Sequence, residues 1–191
     1  MWEYYVYKMY NLLTPFSYRV RLLRVEYIDT SGKKKPRDNY AFIIEPTDQM
    51  ALRLNAKEFD RKGISNHSVD RNTATIMGLF QLLVGNTDWS IPNMHNIKLL
   101  RVADAKYPMP VAVPYDFDYC GIIDAQYAIP NEIHPIEKVT ERFYMGACNM
   151  KKLSRSFMKK EANLRLCLLI HLTSKKEVKV NRSAISMDST G

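Results

Sequence analysis

Two short polar runs flanking a hairpin pattern constrain this chain more than any other feature. The first is Gly85-Asn86-Thr87-Asp88-Trp89-Ser90-Ile91-Pro92-Asn93-Met94-His95-Asn96, and the second is Tyr115-Asp116-Phe117-Asp118-Tyr119-Cys120-Gly121. Between them lie an apolar segment, Ile97 to Val102, a polar loop through Ala103-Asp104-Ala105-Lys106-Tyr107-Pro108, and a second apolar segment, Val111 to Val113. Apolar, β-branched arms around a loop of turn formers predict a β-hairpin. Antiparallel arms bring the start of the first strand beside the end of the second, so Asn96 and Asp116 are expected to meet at the open end. The run that carries Asp88 leads into the same end.

The residue types suit a divalent cation and phosphate. Mg2+ takes oxygen ligands in tight octahedral geometry, usually one or two protein groups together with substrate phosphates. An Asn amide oxygen and an Asp carboxylate fit that role. Phosphoryl transfer also needs a carboxylate that orients the attacking hydroxyl and accepts its proton, and Asp88 is placed for it. Asp116 and Asp118 are two apart, so on an extended segment both point to one face while Phe117 packs on the other. Asp118 then either shares the metal or makes a structural hydrogen bond. Taken alone, Asp88 after Gly85-Asn86-Thr87 reads as a turn cap; the addition of Asn96 and Asp116 favours a site. His95 is expected to shape the loop by packing or hydrogen bonding, and Trp89 and Tyr115 to wall the site.

Upstream, Trp2, Tyr5, Val6, Met9, Leu12 and Leu13 recur at helical spacing and stop at Thr14-Pro15, which predicts an amphipathic helix. Tyr18-Arg19-Val20-Arg21-Leu22 alternates like a half-buried strand continuing toward Ile28, and Tyr40 to Glu45 forms a second strand after the turn-rich Asp29 to Pro36. Ile76, Met77, Leu79, Phe80, Leu83 and Val84 give an apolar helical face that ends at Gly85-Asn86 and delivers the chain into the Asp88 loop.

This order of a loop Asp, an Asn before a strand, a hairpin and then Asp-Phe-Asp resembles the protein-kinase-like fold, especially the spore coat kinase CotH group and more remotely the HipA-like kinases. The resemblance implies an α+β, kinase-like unit over residues 1–173, mostly large lobe, with a truncated antiparallel small-lobe sheet. Residues 1–47 would be the small-lobe remnant and hinge, 48–173 the large lobe, largely helical around the hairpin from 68 to 170, and 174–191 a loose basic tail. It implies Asp88 as catalytic base, Asn96, Asp116 and Asp118 at a Mg2+ or Mn2+ ion, and the backbone of Glu45, Pro46 and Thr47 meeting the adenine of ATP, with a protein as possible phosphate acceptor. The common kinase spacing would select Asn93; the CotH-like placement directly before the strand selects Asn96, with a loop three residues longer. Asp118 stands where kinases carry a Gly, and Gly121 is expected to restore some flexibility.

A kinase begins with a Gly-rich hairpin over the phosphates and a strand Lys. Here no glycine precedes Gly32, and Lys8 falls inside the first helix. The chain is therefore expected to be a fragment, a truncated product or a degenerate relative without catalysis. Glu3 reads as a solvated helix-start carboxylate in preference to the former partner of the missing Lys.

The composition, 46% apolar and 25% charged in 191 residues, is that of a globular unit. No run approaches the roughly 20 apolar residues of a membrane span, and the Met1-Trp2-Glu3-Tyr4 start does not read as a signal peptide. Cys120, Cys148 and Cys167 lack metal-ligand spacing and read as reduced thiols. The net charge of +8 concentrates at Lys33 to Arg37, Lys151 to Lys160 and Lys175 to Arg182, without a nucleic-acid-binding motif; solvated basic faces are the simplest account. A basic helix is predicted from Lys151 toward His171. Two alternatives stand beside the kinase-like reading. One is a non-catalytic pseudokinase-type binding module. The other is a glycosyltransferase using Asp116-Phe117-Asp118 for metal and nucleotide sugar, which leaves the Asp88 to Asn96 run without a role.

Overall fold

In the computed structural model, residues 2–146 and the backbone of 178–180 are described. The chain opens with helix α1, Trp2–Leu13, which ends where Thr14-Pro15 stops it. The buried side chains are Val6, Tyr7, Tyr10 and Leu13, whereas Trp2, Tyr5 and Leu12 of the expected apolar stripe are exposed. The inward face is thus rotated from the one predicted. Tyr7 and Tyr10 supply large ring surfaces while keeping a hydroxyl that can be satisfied at the core's edge. Tyr7 packs edge-on against Phe117 with ring centres 4.8 Å apart, and Tyr10 lies 4.7 Å from Phe80.

Strands β1 (Val20–Tyr27) and β2 (Arg37–Ile44) form a two-stranded antiparallel sheet in the register Val20 with Ile44 through Tyr27 with Arg37. Asp29 closes their connection by accepting the backbone N–H groups of Ser31, Lys33 and Lys34. Phe42 leans on Tyr4 and Tyr7, fixing one face of the ribbon to α1. A short helix, α2 (Thr47–Arg53), and a short strand, β3 (Ala56–Glu58), follow; neither has a strong sequence signature.

Helix α3, Arg71–Val84, starts at the Asp70 cap, whose carboxylate accepts the Thr73 N–H at 2.9 Å. It ends at Gly85, in the left-handed conformation that glycine adopts most readily. The hairpin follows as predicted: β4 (Ile97–Val102) pairs antiparallel with β5 (Val111–Pro114), Ile97 opposite Pro114. β3 adds to β4's other edge to make a three-stranded sheet in the order β3-β4-β5. The hairpin is the centre of the molecule, with Ile97, Leu99, Leu100, Val111, Ala112 and Val113 all fully buried together with Phe117, Met77 and Phe80.

The fold is α+β, with three helices and small sheets among the described residues. Between Tyr115 and Met145 the expected helices do not form; this stretch consists of turns and the strand β6, Arg142–Tyr144. The reason lies in Pro114, Pro130 and Pro135 and the many turn formers among them, which interrupt any long helix. Three residues of the segment expected to be loose, Val178–Val180, form strand β7, parallel to β6. The basic helix predicted from Lys151 toward His171 lies outside the described residues. No described helix is long and apolar enough to cross a membrane.

Candidate acidic site at the open end of the hairpin

The site begins at the end of α3. Gly121 donates its N–H to the Gly85 carbonyl at 3.0 Å, and Ile122 donates to Val84 at 3.1 Å. These bonds splice the start of the Asp88 loop onto the segment that follows Asp118. A Cβ at Gly85 would lie 2.3 Å from an Arg142 guanidinium nitrogen, and one at Gly121 would lie 2.2 Å from the Val139 carbonyl oxygen. Gly121 therefore serves close packing of backbone on backbone and not the flexibility expected of it. Arg142 is buried over this junction, its Nη1 donating to the Thr140 carbonyl at 2.8 Å.

The Asn86 side-chain oxygen then accepts the Asp88 N–H, setting the turn. Ser90 and His95 exchange two backbone hydrogen bonds, at 2.9 and 3.0 Å, which strap residues 91–94 into a closed turn. Met94 and Asn96 take left-handed φ values of 52°, and the chain is thereby folded back so that both His95 and Asn96 reach Asp88. His95 Nε2 lies 2.8 Å from one carboxylate oxygen of Asp88, and Asn96 Nδ2 donates to the other at 2.9 Å and to the Asp88 carbonyl at 2.9 Å. Asn93 is exposed on the looped-out turn, where its N–H donates to Ser90 Oγ at 3.3 Å. Of the two asparagines open to choice in the sequence, Asn96 is the one brought to Asp88.

The hairpin completes the meeting. Tyr115 donates its N–H to the Asn96 carbonyl at 3.0 Å, extending the ladder one pair past Ile97 and Pro114 and leaving Asp116 next in line. Asp116 is not extended as expected; its φ of 58° turns it into the left-handed region, which Asp tolerates better than most residues. Phe117 still drops into the core, and the two carboxylates still converge. Burial, then the charge and hydrogen bond of Asp118 and the charge of Asp88, push the Asp116 carboxyl above its usual range, with His95 acting the other way. Asp118 also accepts a hydrogen bond from the Tyr127 hydroxyl at 3.0 Å.

Two partners of this cluster come from α1. Tyr7 Oη accepts the Asp116 N–H at 2.8 Å, and a Glu3 carboxylate oxygen accepts the Phe117 N–H at 3.3 Å. Glu3 is half-buried and not solvated as its position at a helix start suggested; burial pushes its carboxyl up, helped by the charges of Asp116 and Asp118. Glu3 and Tyr7 are one helical turn apart, so their joint reach to one loop was present as an i, i+4 spacing in the sequence. The apolar stripe obscured it.

Glu45, Pro46 and Thr47 lie where β2 passes into α2. Glu45 forms a two-pronged ion pair with Arg53, at 2.9 and 2.7 Å, and also accepts the Arg19 N–H. Thr47 Oγ1 meets the Tyr18 hydroxyl at 2.9 Å, and the Pro46 carbonyl accepts the Met50 N–H. No described hydrogen bond or ion pair joins these three residues directly to the acidic cluster. Tyr18 connects them to it, stacking edge-on against Tyr115 with ring centres 5.9 Å apart.

No Lys or Arg makes a hydrogen bond or ion pair with Glu3, Asp88, Asp116 or Asp118 among the described residues. Carboxylates converging with no basic partner but His95 among the described residues form a donor set suited to a cation. No three described His, Cys, Asp or Glu side chains converge as a preformed cage; a Mg2+ ion held by an Asn, an Asp and phosphate oxygens does not need one. A cavity of about 160 Å3 opens beside Asp88, lined by Thr87, Tyr119, Ile129, Asn131 and Val139. Comparison of the chain with protein-family models, curated proteins and solved structures gives no match.

Proposed function

We propose that this chain is a kinase-like phosphotransferase unit that binds ATP with Mg2+ or Mn2+ and has little or no turnover of its own. The observation that carries the reading is the hydrogen bond from Asn96 to Asp88, formed where the hairpin ladder also sets Asn96 opposite Tyr115 and next to Asp116. Asn96 spends its amide N–H on Asp88, which leaves its oxygen as an acceptor for a cation. Asp88 is thereby oriented toward the cavity, where an acceptor hydroxyl would give up its proton. Asp116 and Asp118 would hold the ion, which supplies charge neutralisation for bound phosphates. The turn at residues 91–94 accommodates the three residues by which this loop exceeds the ordinary kinase spacing.

A non-catalytic binding module of pseudokinase type is the second reading. It is favoured by the engagement of both Asp88 carboxylate oxygens and by the lack of a described Lys or Arg at the cluster. Isothermal titration with ATP, with and without Mg2+, against a nucleotide sugar with Mn2+ tests the nucleotide class. Mg2+-dependent ATP binding lost in Asp116→Asn supports either kinase-like reading. Binding of the nucleotide sugar alone would point to a glycosyltransferase instead, and no binding of either would sink the proposal.

A further inference from the structure

The β1–β2 ribbon carries a free edge that the acidic site does not use. The Glu45 N–H donates to the Arg19 carbonyl, so the hydrogen-bonded pairs run 19 with 45, 21 with 43, 23 with 41 and 25 with 39. By the same alternation, the backbone N–H and C=O groups of Asp38, Tyr40, Phe42 and Ile44 point away from β1. No described backbone bond satisfies them, and the sheet ends at β2.

Natural edge strands are blunted by charge, proline or a bulge. From Asn39 to Ile44, β2 has none of these; it reads Asn-Tyr-Ala-Phe-Ile-Ile. Tyr40 is 63% exposed, Ile43 54% and Ile44 39%. A two-stranded ribbon is marginal on its own, and a third strand is the ordinary remedy. The charges fall at the other end. Lys33, Lys34, Lys35 and Arg37 are exposed and make no ion pair among the described residues, whereas Asp38 is already paired with Arg24 and Asp29 is spent on the loop's amides.

We infer that the free edge of β2 docks an extended segment of a partner protein as a third strand, acidic at the Lys33 to Arg37 end and apolar where it passes Tyr40 to Ile44. Main-chain bonds to residues 38, 40, 42 and 44 give affinity, and the charge gradient sets direction. The chain's own segment from Lys151 to Arg182 is basic and so lacks the required charge. A second copy paired about a two-fold axis through Ala41 would set Asp38 against Ile44 and Tyr40 against Phe42, leaving Lys33, Lys34 and Lys35 beyond the paired stretch. Bases of a single-stranded nucleic acid need a series of stacking platforms; of the two rings on β2, Phe42 is taken up by Tyr4 and Tyr7, which leaves Tyr40 as the one exposed ring of that strand.

Fluorescence anisotropy of a labelled synthetic peptide, acidic in one half and alternating Val, Thr and Ile in the other, tests this on the intact chain. The peptide is expected to bind, more weakly as salt is raised, and to lose about tenfold or more in affinity when its backbone is N-methylated at alternate residues. Tyr40→Pro, which removes an outward N–H and leaves the β1 ladder intact, is expected to give a similar loss. Lys33→Glu/Lys34→Glu/Lys35→Glu should weaken binding and abolish most of its salt dependence. Equal affinity for the N-methylated peptide would overturn the inference without relying on any variant's folding. So would absence of binding, tighter binding of a single-stranded oligonucleotide, or a concentration-dependent dimer that Tyr40→Pro disperses.

Discussion

Gly85 shows how one residue can serve two constraints at once. It ends α3 with a φ of 71°, and its missing side chain leaves room for the Arg142 guanidinium. Gly85→Ala is expected to cost roughly 2–5 kcal/mol, combining left-handed strain of about 1–2 kcal/mol with overpacking of about 1–3 kcal/mol, measured by urea unfolding. A loss well under 1 kcal/mol would show that Arg142 moves aside freely. Asp116 is different, because its surroundings oppose its charge. Asn tolerates its left-handed φ, so Asp116→Asn should leave the urea midpoint unchanged or slightly raised while removing Mg2+-dependent nucleotide binding. Unfolding of that variant would mark Asp116 as a structural residue.

At the scale of elements, the join between β2 and α2 rests on the Glu45–Arg53 pair. Their side chains are 11% and 18% exposed. Burial raises the Glu45 carboxyl, but hydrogen bonds from Arg53 and the Arg19 N–H outweigh it and hold the carboxyl below its usual range. A carboxylate with a depressed folded pKa contributes stability above its unfolded pKa and loses it as pH falls through the folded one. Wild-type stability should therefore decline below about pH 4.5, the ordinary value, and Glu45→Gln should flatten that part of the profile. At neutral pH the substitution is expected to cost on the order of 1–3 kcal/mol; denaturant unfolding from acid to neutral pH checks both. The hairpin was legible because β-branched arms and a breaker-rich loop carry their own period. β3 was not, since three residues become a strand only when the edge of β4 is there to pair with.

For the whole molecule, the acidic site unites α1, the Asp88 loop and the segment after β5, so its function depends on all three remaining docked. Among the described residues no Lys or Arg bonds to the acidic cluster to align a transferred phosphoryl, and a misplacement of about 1 Å costs on the order of a hundredfold. Negligible phosphotransfer is therefore expected from this chain with Mg2+ and ATP, read with a radiolabelled γ-phosphate and a general protein acceptor. Robust transfer abolished by Asp88→Asn would refute the expected inactivity and support the base assignment. Titration calorimetry in parallel separates failure to bind nucleotide from failure to transfer.

The sequence by itself determined what depends on local period and local breakers: where α1 and α3 stop, the paired arms of the hairpin, and hence the meeting of Asn96 with the Asp116 turn. Proline and glycine act on the residues beside them, and a period of two or of 3.6 can be read without knowing what it packs against. Which face of α1 turns inward was decided by the core, because Tyr7 and Tyr10 fit against Phe117 and Phe80 while Trp2 and Leu12 stay exposed. That rotation carries Glu3 and Tyr7 to the backbone of Asp116 and Phe117, more than a hundred residues away in sequence. The choice of Asn96 over Asn93 was likewise tertiary: it required the Ser90–His95 strap and two left-handed residues, which local propensity permits but only the closed loop against β4 and β5 selects.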